Sequence, residues 1–116
     1  MPIQRLHVGP RLSQVAIHGN TVYTAGIVAG DPKQDAAGQT RQILEQIDAY
    51  LAEAGSDKSR MLSVTIWLAD MSDYAAMNGV WDEWVDKANT PPRACVESKL
   101  AAPQFKVEIR VVAACD

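Results

Sequence analysis

Apolar and polar positions change their spacing several times along the chain, and each change marks an element. Residues 13–18 (SQVAIH) and 21–27 (TVYTAGI) alternate as half-buried strands do, and Gly19-Asn20 between them is a two-residue turn suited to positive φ, so the two runs predict a hairpin. Residues 3–8 alternate more loosely and predict an edge strand. The polar run GDPKQDAAGQ then predicts an exposed loop. Beyond it Ile43, Leu44, Ile47 and Leu51 form one apolar stripe at helical spacing, with Gly55 placed to cap its C-terminal end. Residues 61–69 (MLSVTIWLA) predict a central strand with Leu62, Val64, Ile66 and Leu68 on one face and Met61, Trp67 and Ala69 on the other. Ser72 is positioned to cap a second helix, whose stripe is Tyr74, Met77, Trp81, Trp84, Val85 and Ala88 and whose end is set by Asn89-Thr90-Pro91-Pro92. Two further strands, about 93–99 and 106–113, are read as a hairpin turning at Ala101-Ala102-Pro103.

The expected architecture is α+β, a single six-stranded, mainly antiparallel sheet with two helices on one face. Two helices cover only one side of such a sheet, while the central strand carries apolar side chains on both. An uncovered apolar face of that kind marks an interface, so the pattern alone predicts a homo-oligomer.

Composition narrows the functional classes. A chain of 116 residues, 47% hydrophobic, is one domain over 1–116 that buries about 65% of its unfolded surface, enough for a core without staples. No apolar run reaches the roughly 18 residues of a membrane span and the first residues lack a signal peptide's apolar stretch, so the expected location is cytoplasmic. Cys95 and Cys115 do not form a CxxC pair and read as reduced thiols. His7 and His18 have no second ligand at helix or strand spacing, so no metal is implied. A net charge of −3 without a basic stripe argues against nucleic-acid binding.

Candidate chemistry concentrates near the C-terminus. Strand alternation sets Arg93, Cys95 and Glu97 on one face of the first of the two last strands and Lys106, Glu108 and Arg110 on one face of the second. If the two strands are neighbours, Arg93 and Glu108 share a polar surface. A strand-held guanidinium suits a small carboxylate, and a nearby glutamate suits the handling of water and protons. Spacing equally allows a plain cross-strand ion pair among Arg93, Glu97, Glu108 and Arg110, and a small buried Cys95 with no catalytic part.

The run PPRACVESKLAAPQFKVEIRVVA resembles the signature of the RidA family, also called YjgF or endoribonuclease L-PSP. GNTVYTAGI and LADMSDYAAMN resemble two further family segments, so the likeness spans nearly the whole chain. It implies a chorismate-mutase-like fold assembled as a homotrimer with ligand clefts between subunits, and cofactor-free hydrolysis of reactive 2-imino and enamine acids to 2-oxo acids and ammonia. Carried over by position, it makes Arg93 the carboxylate clamp and Glu108 the group that activates water. Cys95, Gly26, Ala25 and Asn78 then line the binding cleft. Two positions depart from the best-known deaminase branch: Leu12 stands where that branch has a tyrosine, and Ala25 where it has a serine, with Arg11 a candidate replacement contact. A trimeric protein that binds small carboxylates without turnover is therefore the second reading. A ribonuclease or translation inhibitor is the third, and the charge of −3 counts against it.

Overall fold

The computed structural model describes residues 1–116. Seven strands and two helices follow one another as β1 (Ile3–Val8), β2 (Ser13–His18), β3 (Thr21–Thr24), β4 (Ile27–Val28), α1 (Ala36–Glu53), β5 (Met61–Leu68), α2 (Tyr74–Trp84), β6 (Arg93–Glu97) and β7 (Val107–Ala114). They form one sheet in the order β1-β2-β3-β7-β5-β6, with β4 also pairing with β7. Every pairing is antiparallel except that of β5 with β6. Both helices pack on one face, as the apolar stripes predict. No helix is long and apolar enough to cross a membrane.

The hairpin expected at the C-terminus does not form. β5 lies between β6 and β7, because α2 is a crossover helix that returns the chain parallel to β5 on its outer side. The loop after β6 then carries the chain across the end of β5 to its inner side, where β7 is buried between β3 and β5. Alternation identifies both strands but does not say which strand is the neighbour.

Four smaller departures have local causes. The run 21–27 breaks at Ala25-Gly26 into β3 and β4, and the break is held by Thr24. Its buried hydroxyl accepts from the Val111 amide at 3.0 Å and donates to the Ala25 carbonyl at 2.8 Å. In β5 a bulge at Met61–Ser63 exchanges the faces expected for its first two residues: Met61 pairs with Ala113 and is buried, and Leu62 is exposed. The second helix starts from a 3-10 turn capped by Asp70, which accepts from the Ser72 amide, rather than from a Ser72 cap. It stops at Trp84 instead of reaching Ala88, because the Asp86 side chain accepts from the Ala88 amide and closes a competing turn.

Helix α1 begins at Asp35, whose carboxylate accepts from the Gly38 amide at 2.8 Å, and is followed by Gly55 at φ +76, the left-handed position that favours glycine. Fully buried Gln39 is a further anchor. Its amide nitrogen donates to the carbonyls of Pro32, Gln34 and Gln104, and its oxygen accepts from the Lys106 amide, which fixes the start of β7 two residues before Glu108.

Candidate active site

Arg93 opens β6 in register with Val64, a residue that faces the helices and is 2% exposed. The arginine therefore turns under α2. Its guanidinium carbon lies 5.2 Å from the centre of the Trp81 ring, Nη2 donates to the Tyr74 hydroxyl at 3.4 Å, and Nη1 lies 4.0 Å from Met77 Sδ. The only ion pairs in the chain are His7 with Glu53 and Arg60 with Asp116. The cross-strand ion-pair network is thus absent, and a half-buried guanidinium is left with no carboxylate partner.

Cys95 lies two residues further on the same face, opposite Ile66, where burial pushes its thiol up and the nearby Arg93 pulls it down. Burial outweighs the arginine and the net shift is upward, so the thiol is not activated. Asn78 shares the α2 stripe with Tyr74 and Trp81, one turn from each. It is half-buried, and its Oδ1 is buried without a hydrogen-bond partner.

Glu108 sits on the other side of the sheet. Its neighbours Val107 and Ile109 are fully buried beneath the helices, while Glu108 pairs with Trp67 on the uncovered face. Arg93 and Glu108 therefore do not share a surface within one chain, contrary to the expectation, because β6 and β7 are not hairpin neighbours and their face assignments run in opposite phase. Burial alone raises the Glu108 pKa, with no donor to compensate it.

Gly26 belongs with Glu108. A side chain at this position would place its Cβ 2.1 Å from Glu108 Oε2, so the glycine is what lets the carboxylate lie along the break between β3 and β4. Ala25 adjoins it, its amide bonded to the Gln14 carbonyl at 2.8 Å. Leu12 is about half exposed just before β2. The sequence-predicted residues thus fall into two half-sites: Arg93, Cys95 and Asn78 on the helix side, Ala25, Gly26 and Glu108 on the other.

Three residues of these half-sites escaped the sequence reading. Trp67, beside Glu108, was recognised only as apolar; Trp81 was read as core although it also floors Arg93; and Thr24 looked like an ordinary strand residue. For the first two the sequence shows only an aromatic on a strand face or helix stripe, because the pairing that sets Trp67 beside Glu108 and the packing that sets Trp81 against Arg93 are not written in spacing. Nothing marks Thr24, whose role follows from a strand break.

Neither half-site is enclosed by a single chain. A hollow of about 320 Å³ lies against Ala69 and the loop carrying Leu100–Phe105, and another of about 300 Å³ lies between α1 and α2 against Lys58 and Trp84. Neither contains Arg93 or Glu108.

Comparison with known proteins adds a family frame. Residues 3–115 match the family model described as endoribonuclease L-PSP. A RutC family protein of Haemophilus ducreyi is 51% identical over 112 residues, covering 97% of this chain and 96% of the relative. RutC family protein YoaB of Escherichia coli K12 is 47% identical over 114 residues, covering 98% and 99% respectively. Among solved structures, an uncharacterized protein from Pseudomonas aeruginosa superimposes with a TM-score of 0.96 at 49% identity, covering 99% of this chain and 100% of that one. NMB1025 of Neisseria meningitidis, a member of the YjgF family, gives 0.97 at 45%, covering 100% and 97%.

Proposed function

The chain belongs to the endoribonuclease L-PSP family, and from that premise we propose that it hydrolyses reactive 2-imino and enamine acids to 2-oxo acids and ammonia, without a cofactor, in clefts between copies. The observation that carries the reading is the partnerless Arg93 guanidinium on its aromatic floor. A half-buried cation without a protein counter-charge is costly unless a ligand supplies one, and its donor fork matches a carboxylate.

The division into half-sites supports an oligomer. One chain turns Arg93 and Glu108 away from each other, so an assembly with clefts between copies is what would let Arg93 of one copy meet Glu108 of the next. That open face carries Tyr23, Trp67 and Val96, of which Tyr23 and Val96 are at least 40% exposed, an apolar patch suited to a second copy. A homotrimer is the closed arrangement the family resemblance implies.

In such a cleft Arg93 holds the substrate carboxylate and fixes the neighbouring C2. An iminium carbon is already electrophilic, so the protein has to place a water and move protons. Glu108 takes a proton as the water oxygen bonds to C2, then gives it to the nitrogen. As the C–N bond breaks and ammonia leaves, the freed Glu108 carboxylate takes the remaining hydroxyl proton, so the oxygen becomes the carbonyl of the 2-oxo acid and the proton passes to ammonia as ammonium. A carboxyl raised by burial, on a chain that works near neutrality, is a better proton shuttle than an ordinary one.

The test uses imino acids generated in situ, with ammonia and 2-oxo acid release followed over the uncatalysed background. The purified protein accelerates release, and Arg93→Ala lowers kcat/KM by about a hundredfold, the scale of a charge-assisted carboxylate contact. No acceleration overturns the reading. Leu12 and Ala25, which supply no side-chain hydroxyl to the cleft, favour a second one: saturable, Arg93-dependent carboxylate binding with no product formed would select a binding protein.

A further inference from the structure

Tyr74 opens α2 and Trp81 follows two turns later, so both lie on the stripe that meets Arg93. The indole is 5% exposed and forms a fixed floor, while the phenol is 39% exposed and stands at the rim. A guanidinium only donates hydrogen bonds, so at the 3.4 Å contact the Tyr74 oxygen accepts. The phenol's own proton is then uncommitted, since no other hydrogen bond involves that hydroxyl. Each terminal nitrogen of Arg93 carries two N–H groups. The contacts to Tyr74 and to Met77 Sδ take one apiece, which leaves one on each nitrogen for an anion arriving end-on.

We propose that Tyr74 is the second member of the anion clamp: its hydroxyl orients the Arg93 fork and donates its own proton to the same small carboxylate. This rests on the reading of Arg93 as the carboxylate-binding group. It makes the site selective for a planar carboxylate over a neutral carbonyl, because only an anion satisfies the two guanidinium protons and the phenol proton together. β6 is the last strand of the sheet, so Arg93 lies at the sheet's edge beneath α2, with the exposed Tyr74 at the rim where a ligand can approach.

Calorimetric titration with 2-oxobutyrate, a carboxylate that the protein cannot hydrolyse, and with its amide tests the clamp without needing turnover. Tyr74→Phe weakens 2-oxobutyrate binding about three- to tenfold, the range of one hydrogen bond to a charged ligand, and leaves the amide unaffected. In an Arg93→Lys background the same change costs less than in wild type, because the phenol has lost the fork it orients and only its own hydrogen bond to the carboxylate remains. Where hydrolysis is measurable, KM for the imino acid rises by the same factor while kcat stays within about twofold. Unaltered 2-oxobutyrate affinity in Tyr74→Phe, or an equal loss for the amide, overturns the proposal. Absence of imine hydrolysis together with Tyr74-dependent carboxylate binding sinks only the hydrolytic reading. Hydrolysis with an unaltered KM in Tyr74→Phe sinks only the clamp.

Discussion

The two faces of this sheet are made by alternate residues of the same strands, yet they obey different rules. Along β7 the residues Val107, Ile109, Val111 and Ala113 are each 0% exposed beneath the helices, whereas Glu108, Arg110 and Val112 between them look away. The covered face is apolar and closed, and the one charged group it admits in the candidate site, Arg93, enters at its edge under α2. The open face mixes Trp67, Tyr23 and Val96 with Glu108 and Arg110. Stability is thus concentrated on one side, and the candidate site residues lie at the margins of both. A site that needs Arg93 and Glu108 together has to be assembled from two chains.

Substitutions on β7 give the largest test of that contrast. Ile109→Ala removes a fully buried side chain from under the helices and is expected to cost about 2–5 kcal/mol in urea unfolding. Val112→Ala, three residues on and facing the other way, costs less than about 1 kcal/mol in a dissociated chain. If a second copy covers the open face, the Val112→Ala loss grows and becomes dependent on protein concentration. Equal, concentration-independent losses at the two positions would show that the open face is neither free nor an interface.

Glu108 gives an intermediate effect in which stability and activity move in opposite directions. Its folded pKa is raised above the ordinary 4.5, so the folded state holds the proton more tightly than the unfolded one. Its contribution to stability is fully present below that ordinary value and is lost as pH rises through the folded value. Glu108→Gln removes this loss: the variant's urea midpoint is higher than wild type at neutral pH, and the gap closes on acidification. Hydrolysis moves the other way, falling about 10²–10⁴-fold with the proton shuttle gone. A variant less stable than wild type at neutral pH would mean that the carboxylate has a stabilising partner on the open face.

The elements were legible in the sequence to the extent that period carries information. The stripe of Ile43, Leu44, Ile47 and Leu51 marks α1, and the four buried residues of β7 mark an interior strand; both follow from spacing alone. Neighbourhood was not legible. Reading β6 and β7 as a hairpin put Arg93 beside Glu108, because nothing in two alternating runs records that a parallel crossover has placed β5 between them. The bulge that buries Met61 in place of Leu62 is equally silent, since one extra residue changes the phase of a strand without changing its composition. Strand alternation put Arg93, Cys95 and Glu108 forward, the family signature gave them roles, and their division between two faces came only from register.

Gly26 yields the smallest stability effect and the sharpest separation of the two properties. An added Cβ would meet Oε2, Cδ and Cγ of Glu108 at 2.1, 2.9 and 3.2 Å, so the whole carboxyl end must swing aside, but it belongs to a flexible side chain rather than backbone. The backbone at Gly26 is not in the left-handed region, so alanine is admitted there without strain, and it reduces the freedom of the unfolded chain by about 0.4–1 kcal/mol. That gain offsets the cost of moving a partly exposed carboxylate. Gly26→Ala is therefore expected to unfold within about 1 kcal/mol of wild type while losing most of the proposed imine hydrolysis, because the carboxylate it displaces is the one to which that reading assigns the proton. Full activity in Gly26→Ala would mean that Glu108 works from a different rotamer, and a large loss of stability would mean that the break between β3 and β4 depends on the glycine itself.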